Sequence, residues 1–70
     1  MGKMEGMIAL VTKAGNGMGR GTAMLFASEG ALVVVADSDV ENGQETVRRI
    51  EKSGGEGRVY RDGYISNFRN

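Results

Sequence analysis

Thr12-Lys13-Ala14-Gly15-Asn16-Gly17-Met18-Gly19 separates the apolar run Met7 to Val11 from a helix-like run, Met18 to Glu29, and the rest of the chain can be placed around it. A turn poor in side chains that opens straight into a helix suits a phosphate group. The helix N-terminus presents unpaired N–H groups and a partial charge of about +0.5, and glycines let an anion come close to the main chain. Nucleotide binding is the first expectation.

On the N-terminal side, Met7-Ile8-Ala9-Leu10-Val11 is continuously apolar, the pattern of a strand covered on both faces. On the C-terminal side, Met18, Thr22, Leu25, Phe26 and Glu29 fall at helical spacing, with Met18, Leu25 and Phe26 as the apolar part and Gly30 as a stop. Met7, Met18 and Met24 read as core filler on this pattern. Ala31-Leu32-Val33-Val34-Val35-Ala36 predicts a second strand ending at Asp37, and Ser38 with Glu41 forms a capping-box signature for the next helix. Val40, Gly43, Val47 and Ile50 give that helix a narrow apolar stripe, and Ser53-Gly54-Gly55 closes it. Gly57-Arg58-Val59-Tyr60-Arg61 predicts a short third strand. After Asp62-Gly63, the segment Tyr64 to Asn70 shows neither period and reads as a turn or tail. The expected organisation is a single domain over 1-70, with a 1-62 core and a 63-70 tail.

Strand, helix, strand, helix, strand is a βαβαβ unit, and right-handed crossovers set its three parallel strands in the order 3-2-1. The first strand then has a free edge, which offers a template for a second copy. A homodimer through that edge, or by exchange of elements, is expected. Self-association would also help a 70-residue chain, which buries only about 60% of the surface its unfolded form exposes.

Composition narrows the chemistry. There is no Cys and no His, which removes disulfides, thiolate zinc sites and the commonest general base, so no metal site is expected. Nine basic residues balance nine acidic ones, leaving no overall pull toward nucleic acid or an anionic membrane. The N-terminal apolar run follows Glu5 and is too short for a signal-peptide core or a membrane span. Gly6 stands where a myristoylation motif wants Ser or Thr. These features point to a cytoplasmic protein.

From Ile8-Ala9-Leu10-Val11-Thr12 through Gly15, Gly17, Gly19, Arg20, Leu25-Phe26-Ala27, Glu29-Gly30-Ala31 and Val33-Val34-Val35-Ala36-Asp37 to Asp62, the chain resembles the N-terminal part of a short-chain dehydrogenase/reductase. The family turn is T-G-x-x-x-G-x-G. Thr12, Gly17 and Gly19 match it, and Lys13 stands in place of the first glycine. A glycine turn after an apolar strand, opening a helix, with an acid eighteen residues past Gly19 at the end of the next strand, is a linked signal because one geometry connects all four parts.

The resemblance implies a Rossmann-like α/β half-unit that binds a nicotinamide dinucleotide. Thr12, Lys13, Gly15, Asn16, Gly17, Met18 and Gly19 would then follow the pyrophosphate, and Asp37, with Ser38 beside it, would take the adenosine ribose hydroxyls. A carboxylate at that place accepts hydrogen bonds from both hydroxyls and repels a 2′-phosphate, and neither Asn16 nor Ser38 supplies a base, so NAD is favoured over NADP. Asp62 and Gly63 stand where the family has an Asp-Val pair at the adenine end. Structural readings remain open beside these: a ligand-free turn, Asp37 as a polar strand end, Arg20 as a solvated helix residue or a phosphate ligand, and Asp62 as a turn residue.

The family's hydride transfer needs a Ser and a Tyr-x-x-x-Lys pattern downstream. Here Tyr60 is followed four places later by Tyr64, and Tyr64 by Phe68, so no catalytic residue is assigned and binding without turnover is expected. A second reading is a ligand-free structural or dimerisation module in which Lys13 blocks the turn. A third, disfavoured, is a nucleic-acid patch of Arg58, Tyr60, Arg61, Tyr64, Phe68 and Arg69, diluted by Glu56 and Asp62.

Overall fold

A computed structural model describes residues 2–66. The apolar runs form parallel strands β1 (Ile8–Thr12) and β2 (Leu32–Ala36), each followed by a helix, α1 (Gly17–Ser28) and α2 (Val40–Lys52). Strand β3 (Glu56–Arg61) lies parallel to β2. A fourth strand, β4 (Tyr64–Ser66), runs antiparallel to β3, so the sheet reads β1-β2-β3-β4. The class and the order of the three parallel strands are as the sequence implies.

The fourth strand corrects the expected three-stranded sheet: Tyr64–Ser66, expected in a 63-70 tail, form β4, and 67–70 lie outside the described residues. Asp62 and Gly63 both have positive φ, 54° and 84°, the conformation of a two-residue hairpin turn whose twist matches that of the flanking strands. Asp-Gly is among the commonest sequences for that turn, and it folds Tyr64 and Ile65 back against Arg61 and Tyr60. Phe68 and Arg69 of the basic-aromatic pattern lie outside the described residues.

Both crossovers run in the same direction, so both helices cover one face of the sheet. Val11, Val33, Val35 and Val59 project to that face and share one core cluster with Ala23 and Ala27 of α1 and Val47 and Ile50 of α2. On the other face Val34 of the central β2 is buried, but β1 is open: Ile8 is 71% and Leu10 62% exposed. The continuous apolar run of β1 is therefore not a strand covered on both faces. Helix α1 also turns a different face inward from the one its large residues suggest. Of the expected apolar residues Phe26 packs against the core, but Met18 is 89% and Leu25 58% exposed, and the buried positions are Ala23 and Ala27. Small residues four apart let the helix axis come close to the sheet. Met7 is exposed as well, and of the three methionines read as filler only Met24 packs against the core.

Helix α2 begins one residue later than the capping box suggested. Asp39, not Ser38, is the N-cap, its carboxylate accepting from the Asn42 N–H at 3.1 Å. The backbone N–H of Asp39 is itself held by Asp37 Oδ1 at 2.7 Å, which carries the chain out of β2 before the helix starts.

Candidate functional site

The glycine turn leaves the C-terminal end of β1 and enters α1 beside the end of β2, at the edge of the parallel sheet where ligands of open α/β folds bind. Lys13 has φ +53, so the position where the family has glycine does need the left-handed conformation. Gly17 has φ +57. Gly19 serves a different need, because a Cβ there would collide with the Lys13 carbonyl oxygen. The first turn of α1 thus packs directly on the backbone that precedes it.

The N-terminus of α1 has no partner of its own. Asn16 is the N-cap residue, yet its side chain makes no capping hydrogen bond, and the first turn holds no acidic residue. Orphan N–H groups at such an end are satisfied by water or by an anion. Asn16, Gly17 and Met18 are exposed along this opening, as are Thr12 and Lys13, while Ala14 and Gly15 are buried beneath it.

Asp37 is brought against the turn. Its Oδ2 accepts from the Gly15 N–H at 2.8 Å and its Oδ1 from the Asp39 N–H. The Asp39 N–H, then the Gly15 N–H, and finally the Lys13 charge hold its carboxyl below the usual carboxylate range, against a weaker opposing effect of desolvation. The group is an anion at neutral pH, and each oxygen keeps lone pairs for further donors.

A cleft of about 730 Å³ opens at the strand ends, with Thr12 and Lys13 on one side, Asp37 and Ser38 on its floor, and Tyr60, Arg61 and Asp62 on the far side. Of the expected site residues, Thr12, Lys13, Asp37, Ser38 and Asp62 line this cleft, while Gly15, Asn16, Gly17, Met18, Gly19 and Gly63 do not; Gly15 is tied to it through its bond to Asp37. Tyr60, Arg61 and Val40 line the cleft and were not among the expected site residues. The end of β3 and the start of α2 were readable as its neighbours, since a parallel strand presents its C-terminal residues to the same edge. In the basic-aromatic pattern, Tyr60 pairs across to Ile65 and Arg61 to Tyr64, so the two halves of the pattern fall on opposite faces of the hairpin.

Arg20 is half-buried and does not line the cleft. It runs beneath the turn, where Nε donates to Thr46 Oγ1 at 2.8 Å and Nη2 donates to the Gly15 carbonyl. The arrangement as a whole offers exposed amides at the start of α1, a fixed carboxylate beside them and a cleft that the carboxylate lines, which suits a phosphate joined to a sugar diol and a flat ring.

Comparison with known proteins agrees with this geometry. The family model of the short chain dehydrogenases matches residues 7–63. An uncharacterized oxidoreductase of Bacillus subtilis is 43% identical over 56 residues, 80% of this chain and 20% of that protein. Among solved structures, the promiscuous reductase LugOII, which catalyses keto-reduction at C1 during lugdunomycin biosynthesis, superimposes with a TM-score of 0.83 at 44% identity, over 87% of this chain and 25% of that one. A metagenomic short-chain oxidoreductase in complex with NADP superimposes with a TM-score of 0.79 at 37% identity, over 81% of this chain and 26% of that one. The chain spans about a fifth to a quarter of the length of these proteins.

Proposed function

The chain belongs to the short-chain dehydrogenase family, and on that premise we propose that it binds a nicotinamide dinucleotide by its adenosine and pyrophosphate half, NAD in preference to NADP. The observation that carries this reading is the contact of the Asp37 carboxylate with the Gly15 N–H beside the uncapped start of α1. The pyrophosphate would lie against the amides of residues 16 to 19, beside the Gly15 N–H that Asp37 already holds. The ribose hydroxyls would donate to Asp37, which repels a 2′-phosphate while it is ionised. Tyr60, Arg61 and Asp62 stand at the far side of the cleft, within the space open to the adenine. When bound, the cofactor supplies the hydride acceptor; this chain's own residues bind and orient it.

Lys13 carries two opposing effects. A side chain in the left-handed conformation costs about 1–2 kcal/mol. An ammonium about 4 Å from a phosphate gains roughly 1 kcal/mol in water and up to ~4 in a shielded site. With no Tyr-x-x-x-Lys pattern in these 70 residues, the reading is of cofactor binding without turnover by the chain alone. It is read as cytoplasmic; no described helix is long and apolar enough to cross a membrane. It is further read as a homodimer, joined through the β1 edge or by exchange of elements.

Calorimetric titration of NAD, NADP and ADP-ribose tests the proposal. NAD is expected to bind at least about tenfold more tightly than NADP, and Asp37→Ala to erase the difference, in line with the loss of one charged partner. Equal or tighter binding of NADP by the unmodified chain refutes the preference. No binding of any of the three favours the ligand-free assembly module. In the same titration Lys13→Gly assigns the lysine, a tighter complex marking it as an obstruction and a weaker one as a phosphate ligand.

A further inference from the structure

Beneath the turn lies a polar cluster that touches none of the cleft. Thr46, on α2, is 0% exposed. Its hydroxyl donates to the Ala14 carbonyl at 2.6 Å, with the Asn42 carbonyl 3.2 Å away, and accepts from Arg20 Nε. The Arg20 guanidinium completes the cluster, Nη2 donating to the carbonyls of Gly15 and, at 3.3 Å, Asn42. One residue of α1 and one of α2 therefore grip two consecutive carbonyls of the turn from below. All buried side-chain polar atoms among the described residues are satisfied.

Peptide planarity converts that grip into an orientation. In a trans peptide the C=O and the next residue's N–H point in opposite directions. Holding the Ala14 carbonyl toward Thr46 directs the Gly15 N–H away from it, and that N–H is the one Asp37 accepts. Holding the Gly15 carbonyl toward Arg20 likewise directs the Asn16 N–H away from Arg20, at the start of α1. Gly15 has no side chain and that of Asn16 makes no capping bond to fix these peptide planes, and a turn whose backbone could flip would present carbonyl oxygens where an anion needs N–H groups.

We infer that Arg20 and Thr46 are positioning residues, which set the peptide planes of the phosphate turn from the α2 side and so govern the affinity for pyrophosphate without touching it. The inference rests on the dinucleotide reading for its ligand, but its geometric part can be measured without one. A merely structural pair would weaken all ligands together through global stability. A positioning pair weakens those that carry the pyrophosphate.

The test compares ADP-ribose with adenosine on the whole chain, together with hydrogen exchange of the backbone amides. Thr46→Val, which removes the hydroxyl, and Arg20→Lys, which keeps the charge but not the fork, are each expected to weaken ADP-ribose binding about tenfold, as for one lost charge-assisted or buried hydrogen bond. Adenosine binding is expected to stay within about twofold, and Thr46→Ser to restore the ADP-ribose value, since it keeps the hydroxyl. Exchange at Gly15, whose N–H is held by Asp37, should quicken about tenfold while that of Val33 to Val35 is unchanged, because local opening is decoupled from the global transition. Parallel loss of both ligands, or loss of neither, overturns the inference. If Thr46→Val fails to fold, Arg20→Lys decides. If the unmodified chain binds no ADP-ribose, the dinucleotide reading fails by itself, and unchanged exchange at Gly15 in both variants then overturns the positioning role as well.

Discussion

The two helices begin in opposite ways. At the start of α2, Asp39 accepts the Asn42 N–H, Glu41 lies in the first turn, and the helix has its negative complement built in. At the start of α1, Asn16 contributes no capping bond and no acid follows. A helix end is stabilised by side-chain acceptors or by something outside the chain, and the two ends of this small domain divide those options between them. The difference leaves α1 as the end without a built-in acceptor, which is the end that the proposed reading gives to the pyrophosphate. Asp37 sits between them, one oxygen on the Gly15 N–H and the other on the Asp39 N–H, so the two helix entrances share a single carboxylate.

The largest effect that would break this contrast comes from Gly19. In Gly19→Ala the new Cβ meets the Lys13 carbonyl oxygen, and α1 or the turn must shift. The expected cost is about 1–3 kcal/mol of stability, as for other overpacked sites, seen as a lower denaturation midpoint, with ADP-ribose binding lost beyond detection. Next comes the capping comparison itself. Asp39→Ala should cost about 1 kcal/mol, a fall in Tm of roughly 4–8 °C in a chain of this size, whereas Asn16→Ala should leave Tm within about 2 °C because no capping bond is lost. Equal falls in the two variants would mean that the α1 end is capped in solution after all.

The smallest effect concerns acid. The pKa of Asp37 is depressed in the folded chain, so its contribution to stability is fully present above the unfolded carboxylate value of about 4 and is lost as the pH falls through the lower folded value. Unfolding followed from pH 5 downward should therefore weaken less steeply in Asp37→Asn than in the unmodified chain. Glu45, lowered chiefly by its bond from Arg49, titrates in both proteins and cancels from the comparison. Parallel curves would show that Asp37 is not held by the two N–H groups in solution.

Much of this was legible in the sequence, and the parts that were not share a cause. Strand order, both helices and the meeting of the glycine turn with Asp37 followed from local pattern and chain reversal, each dictated by neighbours in sequence. The inward face of α1 was not, because large apolar residues were weighed above small ones, and it is Ala23 and Ala27 that allow the close approach. The hairpin at Asp62-Gly63 carries its own signal, and the turn reading of Asp62 agrees with it; the strand that follows is hidden because three residues are too few to show a period. Arg20 was readable only as one of two exposed roles. Its actual partners, Thr46 and the Gly15 and Asn42 carbonyls, lie on other segments, and no spacing rule connects them.

The hairpin has a consequence for how copies of the chain can meet. Among the described residues, β4 gives one margin of the sheet only three residues of strand, while β1 gives the other five, with Ile8 and Leu10 bare on the adjoining face. Short outer strands discourage pairing, and long apolar ones invite it. A homodimer formed as proposed, through the β1 margin, would use that margin up on both partners and give an eight-stranded sheet bounded by the two β4 strands. Sedimentation velocity would show this as a single species of twice the chain mass, with no larger series at higher concentration.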